Sequence, residues 1–135
     1  MQHEIMVSTR GHEELIDITP EIEKMVAASK IREGLCTVFV RHATAAIIII
    51  ENDDPNLGTD FLTAMKTLIP DHRSYLHDEI DNNAAAHIKA AMLGPGETIP
   101  ITQGRLALGR WQSLALCELD GPRERRIIVA ISSTA

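Results

Sequence analysis

Polar and apolar residues alternate along residues 2–9, and this period of two predicts a half-buried β-strand. Residues 14–18 resume the alternation and predict the second arm of a hairpin that turns at residues 10–12. A helix is predicted to begin at Thr19-Pro20, because threonine caps free backbone N–H groups and proline is tolerated at the first helical position. Gly34 is predicted to end this helix, since glycine is common just beyond a helix.

The rest of the chain predicts further strands and two more helices. Two runs rich in aliphatic residues, 35–40 and 46–50, predict the two central strands. A second helix is predicted from about residue 59 to residue 68, and the polar stretch 71–83 predicts a long loop. The remaining predicted elements are a helix at 84–93 and strands at 97–101, 106–108, 113–119 and 127–132.

This order of elements predicts an α+β fold, because a doubly wound fold would alternate strands and helices regularly. No repeat or flexible linker divides the sequence, so we expect a single domain over residues 1–135. So many strands in a short chain predict two packed sheets. Some strand edges would stay open, and an oligomer would cover them.

Composition narrows the function classes. The chain is 44% hydrophobic and carries a formal net charge of −6, which disfavours general binding to nucleic acid. The longest aliphatic run, 45–50, is too short to span a bilayer, and residues 1–10 do not resemble a signal peptide. Cys36 and Cys117 lie in separate apolar stretches, which predicts two buried thiols and a reduced, cytoplasmic location.

Three of the six histidines lie where a pocket could use them. His42 directly follows a predicted strand, His77 lies in the polar loop, and His87 lies in an alanine-rich helix. Three neutral imidazoles around an open position form a common catalytic zinc site, and Asp78, Glu79 and Asp81 would orient the rings. The spacing contains no HxH or HExxH motif, so surface or hydrogen-bonded core roles stay open on the residues alone.

A second candidate site is the acidic turn after residues 46–50. Glu51-Asn52 emerges from a fully apolar run, where a carboxylate is suited to acid/base chemistry, although the pair could simply end the strand. Asp60 is a further candidate, with a helix-stabilising role as the alternative. We take Glu51, Asn52 and Asp60 as the candidate catalytic residues.

A third candidate site is predicted to bind an anion. Trp111-Gln112 follows a glycine that permits close backbone approach, and Arg123 belongs to an arginine-rich turn. A solvated hairpin tip is the alternative, especially for Arg125 and Arg126. No phosphate-binding glycine motif is present.

Ordered motifs across nearly the whole chain resemble the YjbQ family. They are His42-Ala43-Thr44-Ala45-Ala46, Glu51-Asn52-Asp53-Asp54-Pro55, Asp60, Tyr75-Leu76-His77-Asp78, Ala86-His87-Ile88-Lys89, Leu93-Gly94, Ile99-Pro100 and Gly109-Arg110-Trp111-Gln112. The resemblance implies an α+β domain containing a sandwich of two sheets, assembled as a homotrimer. Two positions depart from the family pattern, where Ile50 replaces an asparagine and Arg110 replaces a threonine.

The resemblance also implies a function. The family is associated with secondary thiamine-phosphate synthase, a side activity that joins hydroxymethylpyrimidine diphosphate to thiazole phosphate and expels pyrophosphate. His42, His77 and His87 correspond to the family's metal ligands, which implies a divalent metal, most simply zinc. Magnesium would assist the synthase reaction but prefers oxygen ligands, so three histidines suit metal-dependent hydrolysis of a small phosphorylated or acyl substrate better.

Three function classes therefore compete. The first is an enzyme with a histidine-lined metal pocket and an anionic, phosphorylated substrate held by Trp111, Gln112 and Arg123. The second is a trimeric module that binds a metal or a small anionic metabolite without turnover. The third is a structural subunit whose histidines stabilise the trimer. No membrane or nucleic-acid partner is expected.

Overall fold

Eight strands and three α-helices make up the fold in a computed structural model that describes residues 1–135. In chain order the elements are β1 (Gln2–Ser8), β2 (Glu14–Asp17), α1 (Thr19–Ser29), β3 (Glu33–Val40), β4 (Ala45–Ile50), α2 (Pro55–Leu68), a 3₁₀ turn (Leu76–Glu79), α3 (Ala84–Leu93), β5 (Gly96–Thr102), β6 (Arg105–Leu106), β7 (Ser113–Glu118) and β8 (Glu124–Ser133). None of the helices has the length and apolar character needed to cross a membrane.

The strands form two antiparallel sheets that share one apolar core. Sheet A has the strand order β1-β8-β3-β5-β6, and sheet B has the order β2-β7-β4. The main core joins both sheets and α1 through residues such as Val38, Ile127, Leu116 and Ile22. A smaller apolar cluster covers the other face of sheet B, where Ala86 and Ala90 of α3 pack against it. The predicted α+β class with two sheets is confirmed.

The predicted hairpin between the first two strands is wrong. β1 pairs only with β8 in sheet A, whereas β2 pairs with β7 in sheet B. The chain crosses between the sheets at Thr9, whose backbone N–H donates to the Arg123 carbonyl. The Thr9 hydroxyl donates to the carboxylate of Glu118, and these long-range bonds replace the local turn that a hairpin needs.

The start and end of α1 also differ from the prediction. Thr19 does not cap the helix, because its hydroxyl bonds to the backbone N–H and carbonyl of Leu114 in the neighbouring strand. The helix ends at Lys30, which adopts a left-handed conformation with φ of 61°. Gly34 lies inside β3, where an added Cβ would be only 2.1 Å from the Ser132 carbonyl oxygen.

α3 has the bounds that the sequence predicts. α2 begins four residues earlier than predicted, because the Asp54 side chain caps it by accepting the Asn56 N–H at 2.9 Å. β3 is a central strand, as predicted. β4 is an edge strand instead, since beyond it the Ile47 N–H bonds to the Gly94 carbonyl at the end of α3 rather than to another strand.

Both cysteines are buried and free, as their apolar surroundings predict. Burial raises the pKa of the Cys36 thiol to about 11 and that of the Cys117 thiol to about 12. Nucleophilic cysteines need an accessible, ionised thiolate. Neither residue is therefore a candidate nucleophile.

Candidate functional site

The largest cavity, of about 720 Å³, is open and strongly polar. It lies between the loop that joins β3 to β4, the beginning of α3 and the turn that joins β7 to β8. The residues that line it are His42, Ala43, Thr44, Asp81, Asn83, His87, Asp120, Arg123, Glu124 and Arg125. Two of the three predicted histidines and the predicted anion-binding arginine therefore converge on one space.

His42 presents a neutral imidazole to this cavity. Burial and the positive charge of nearby Arg125 hold the pKa of His42 below its ordinary value of 6.5. Its Nε2 accepts the backbone N–H of Arg126 at 2.9 Å. A neutral imidazole has one acceptor nitrogen and one N–H, so this bond assigns the proton to Nδ1.

A buried ion pair holds the loop that carries His42. Arg125 is 1% exposed, and its guanidinium is paired with both oxygens of the Glu118 carboxylate. Its Nη2 also donates to the Thr44 carbonyl and hydroxyl oxygens at 3.1 and 2.9 Å. Burial alone would raise the pKa of Glu118, but hydrogen bonds from Arg125 and Thr9 outweigh it and lower that pKa. The loop is thereby fixed to the core by charged hydrogen bonds, which are stronger than neutral ones.

His87 and His77 form a second pair of imidazoles. Their ring centroids lie 5.0 Å apart with the planes perpendicular. The buried alanines of α3 let the helix pack closely on sheet B, which fixes the position of His87. Nε2 of His77 is buried without a hydrogen-bond partner, and the nearest carboxylate oxygen, from Asp81, is 3.7 Å away.

The three histidines do not form a three-ligand metal site in this arrangement. No group of three or more His, Cys, Asp or Glu side chains is placed to hold a metal ion. The lone pair of His42 is used by the Arg126 N–H, and His77 does not line the cavity. Asp78, predicted to orient the rings, accepts the N–H of Ala84 at 2.9 Å instead. Zinc therefore stays a prediction.

Arg123 and Asn83 meet at the carboxylate of Asp120. Arg123 donates from Nε to the Asp120 carbonyl and from Nη2 to its carboxylate, at 2.7 and 2.9 Å. The Asn83 amide donates to the same carboxylate at 2.8 Å, and its own Oδ1 is buried without a partner. Burial alone would raise the pKa of Asp120, but these hydrogen bonds outweigh it and lower the pKa. The exposed guanidinium of Arg123 keeps its Nη1 hydrogens available to a ligand.

The predicted catalytic residues lie elsewhere in the protomer. Glu51-Asn52 follows the far end of β4 from His42, a separation of about 20 Å at the usual rise per strand residue. The Asn52 amide donates to the Asp17 carboxylate at 2.9 Å. Asp60 is exposed on α2. None of Glu51, Asn52 and Asp60 lines the large cavity.

Trp111 and Gln112 are likewise remote from the histidines within one protomer. Trp111 is 53% exposed and lies under the Arg110 guanidinium, 5.0 Å from its ring centroid. It borders a separate small pocket of about 200 Å³ together with Asn52. Gln112 accepts the Gly109 N–H at 2.7 Å, which stabilises a turn. Trp111 and Asn52 therefore share a pocket that none of the three histidines lines.

A family sequence model described as "UPF0047 protein YjbQ-like" matches residues 3–134. The chain belongs to the YjbQ family. A UPF0047 protein from Methanothermobacter thermautotrophicus is 43% identical over 129 residues, covering 96% of this chain and 90% of that protein. The UPF0047 protein YugU from Bacillus subtilis is 36% identical over 122 residues, covering 90% of this chain and 91% of that protein.

Solved structures of similar proteins have nearly the same fold as this chain. A YbjQ-like protein of unknown function from Sulfolobus solfataricus P2 superposes with a TM-score of 0.95 at 43% identity, covering 98% of this chain and 96% of that one. An uncharacterised YjbQ/UPF0047 protein from Clostridium acetobutylicum gives a TM-score of 0.93 at 38% identity, covering 96% and 99% of the two chains. The three helices and two antiparallel sheets are therefore a YjbQ-family fold.

The two departures from the YjbQ pattern have direct structural counterparts. Ile50 is half-buried and packs against the apolar cluster on the outer face of sheet B, where an amide would need a hydrogen-bond partner. Arg110 makes the cation–π contact with Trp111 described above. Neither residue lines the large cavity.

Sequence reasoning missed the buried polar residues behind the site. Arg125 was expected at a solvated hairpin tip, yet it occupies the core-facing phase of β8 with Ile127, Val129 and Ile131. This alternation of positions along the strand is visible in the sequence and could have predicted that Arg125 is buried. Asn83 and Glu118 carry no comparable signal, because their roles depend on partners from distant strands and turns.

Proposed function

We propose that this YjbQ-family protein is an enzyme that acts on a small phosphorylated substrate in the cavity between His42 and His87. The observation that supports this is the convergence of two imidazoles and the guanidinium of Arg123, from three separate elements, on one polar space of about 720 Å³. That volume lies within the range of small-molecule sites. Imidazoles move protons near neutral pH, and a guanidinium fork matches a phosphate.

Each of these side chains receives a distinct role. Arg123 holds a phosphate oxygen through its free Nη1 hydrogens. His42, whose Nε2 is occupied, donates a hydrogen bond from Nδ1 and orients the substrate. His87 is the proton-transfer group, because it lines the cavity and no carboxylate is paired with it.

The negative charge around the cavity disfavours a free phosphate dianion as the substrate. Asp81, Asp120 and Glu124 border it, whereas Arg125 is already neutralised by Glu118. Arg123 alone does not offset three carboxylates, so a phosphate dianion would meet net repulsion. We therefore propose that the substrate enters as its magnesium complex, with the metal as part of the substrate.

Synthesis of thiamine phosphate is the first reaction to test, since the family resemblance implies it. Wild-type protein with hydroxymethylpyrimidine diphosphate, thiazole phosphate and magnesium is expected to release pyrophosphate. His87→Gln should lower kcat about 100-fold or more if His87 moves a proton, and Arg123→Gln should chiefly raise KM. Arg105→Gln, which removes an exposed arginine from β6, is the matched control. The same variants apply to a panel of phosphate esters if the synthase assay is blank.

A binding module without turnover is the second candidate. It is favoured by the position of Glu51, because the predicted catalytic carboxylate lies outside the cavity. This candidate predicts that magnesium-bound phosphate compounds bind wild type and His87→Gln almost equally, with no turnover by either. Unequal kcat between the two proteins would eliminate it.

The metal prediction has its own test. The buried, unpartnered Nε2 atom of His77 beside His87 supports a metal there, with His42 completing the set only by releasing the Arg126 N–H. Elemental analysis of protein purified without a histidine tag or chelator decides between the two roles of His87. About one zinc per chain, lost in His87→Ala, would make His87 a metal ligand in place of the proton-transfer group. Protein that holds no metal and takes up none from added zinc would remove the metal centre from the proposal.

We also propose that the protein is a homotrimer and that it is located in the cytoplasm. A single protomer leaves Leu76 87% exposed and Ile80 78% exposed, and a neighbouring subunit would cover such residues. The two free buried thiols are consistent with a reducing compartment. Light scattering after gel filtration tests the trimer, and a monomer across the micromolar range would refute it.

A further inference from the structure

A second depression, of about 520 Å³, lies directly beside the polar cavity and differs from it in chemistry. Its lining is mostly apolar, and its one charged side chain is the exposed Arg41, which is paired with Glu4 at 3.7 Å. The apolar residues that line this space alone are Phe39, Val40, Ala45, Ala90, Ala91 and Pro95. His42, Ala43 and His87 line both spaces. We refer to this second space as the apolar groove.

The two imidazoles therefore stand at a boundary. Both imidazoles line the polar cavity, which also contains Arg123, and both line the apolar groove. A ligand that fills both spaces would have its polar and apolar parts joined next to His42 and His87. Proton transfer at that junction is the chemistry that imidazoles perform.

Phe39 forms one side of the apolar groove, and small residues of α3 form the opposite side. Phe39 lies on the outer face of β3 and is 43% exposed, although charged or polar residues are usual on a solvated strand face. Its cross-strand partner is Gly96, and the ring lies over that residue, since an added Cβ would be 3.2 Å from Phe39 Cδ2. Alanines of α3 leave room opposite the ring.

We infer that the substrate is an organic phosphate with an apolar, ring-sized or branched group, whose phosphate lies in the polar cavity and whose apolar group lies against Phe39. The inference rests on the proposed function, because it assigns the phosphate to the same Arg123 site. It excludes inorganic phosphate and sugar phosphates as the preferred ligands. The continuity of the two spaces through His42, Ala43 and His87 is the observation that carries it.

Calorimetric titration with two phosphonates in magnesium buffer tests the inference. Benzylphosphonate carries a phenyl ring that methylphosphonate lacks, and neither contains a hydrolysable phosphate ester. Wild type is expected to bind benzylphosphonate about tenfold more tightly, which corresponds to about 1.4 kcal/mol for a partly buried ring. Arg123→Gln should weaken both ligands.

Two variants separate the apolar groove from the polar cavity. Ala91→Gln places a longer polar side chain in the apolar groove, and Phe39→Thr removes its wall while keeping a residue suited to a strand. Each should reduce the benzyl preference to within about twofold while methylphosphonate binding stays unchanged. Ala28→Gln, the same substitution at an exposed position of α1, is the matched control.

The outcomes distinguish the inference from the proposed function. Equal binding of both phosphonates by wild type, with the Arg123 dependence intact, overturns the apolar-group inference alone. Binding of neither phosphonate overturns the phosphate site and the inference with it. A benzyl preference that survives both groove variants places the ring elsewhere. Loss of oligomeric state in both variants, measured by light scattering, assigns the apolar groove to a neighbouring copy of the chain and also overturns the inference.

Discussion

Replacing Glu118 by glutamine tests the buried ion pair that supports the His42 loop. Oε1 of Glu118 accepts from the Thr9 hydroxyl and from Arg125 Nε, at 2.7 and 2.9 Å. Oε2 accepts the backbone N–H groups of Leu119 and Asp120 at 3.0 and 3.1 Å, as well as the guanidinium. A glutamine amide would point donors at donors in either orientation. It would also leave Arg125 charged and buried.

The expected cost is large because neither partner can reach water. Glu118 is 0% exposed and Arg125 is 1% exposed. Removing one partner of a buried pair costs about 3–5 kcal/mol, a substantial part of the roughly 5–15 kcal/mol that stabilises a typical domain. Glu118→Gln combined with Arg125→Met should cost less than Glu118→Gln alone, since the second change removes the uncompensated charge.

Urea unfolding followed by far-ultraviolet circular dichroism measures this cost. For a slope of about 1.5 kcal/mol per molar urea, the midpoint of Glu118→Gln should fall by about 2 M or more. The control is Glu21→Gln, whose exposed pairing with Lys24 should contribute less than about 0.5 kcal/mol. A midpoint for Glu118→Gln within about 0.5 M of wild type, which corresponds to about 0.75 kcal/mol at that slope, would refute the reasoning.

Three further outcomes follow from burial and backbone geometry. Cys36 and Cys117, with thiol pKa values raised by burial to about 11 and about 12, should not react with a thiol reagent at pH 8 unless urea unfolds the chain. Gly34→Ala should destabilise the fold by at least about 2 kcal/mol, because its Cβ would meet a β8 carbonyl. Gly58→Ala in α2 should instead stabilise the fold by about 0.5–1 kcal/mol. Similar unfolding midpoints for the two variants would contradict this expectation. The folded-state pKa of Glu118 lies below its ordinary value of 4.5, so its contribution to stability is complete above that pH and is lost as the pH falls through the folded-state value. Acid titration of Glu118→Gln should therefore show a shallower loss of stability below pH 4.5 than wild type, and parallel curves would contradict it.

Elements with strong local signals were predictable from sequence. α3 has the predicted bounds because a run of helix-forming alanines ends at Gly94, which adopts φ of 95°. Pairing partners were not predictable in the same way. β1 and β2 are neighbours along the chain, but Thr9 directs them into different sheets through bonds to Glu118 and Arg123.

The candidate site shows the same division. His42, His87 and Arg123 could be chosen from residue type and position, and the structure places all three on one cavity. Glu51 and Trp111 carry equally strong chemical signals, yet β4 and its neighbours place them at another part of the protomer. Residue type indicates which chemistry a side chain can perform. Only the strand order determines which side chains meet.

The position of β8 between β1 and β3 also sets the order of events during translation. β1 is synthesised before the other strands of the fold, but its only partner strand begins at Glu124. At about 5–20 residues per second, β1 waits on the order of ten seconds for that partner. The pairings of β8 with β1 and β3 form only after β8 has been synthesised, so a nascent chain that stops before β8 cannot complete sheet A. Until then β1 and one edge of β3 present unpaired backbone N–H and C=O groups, which can pair with other chains.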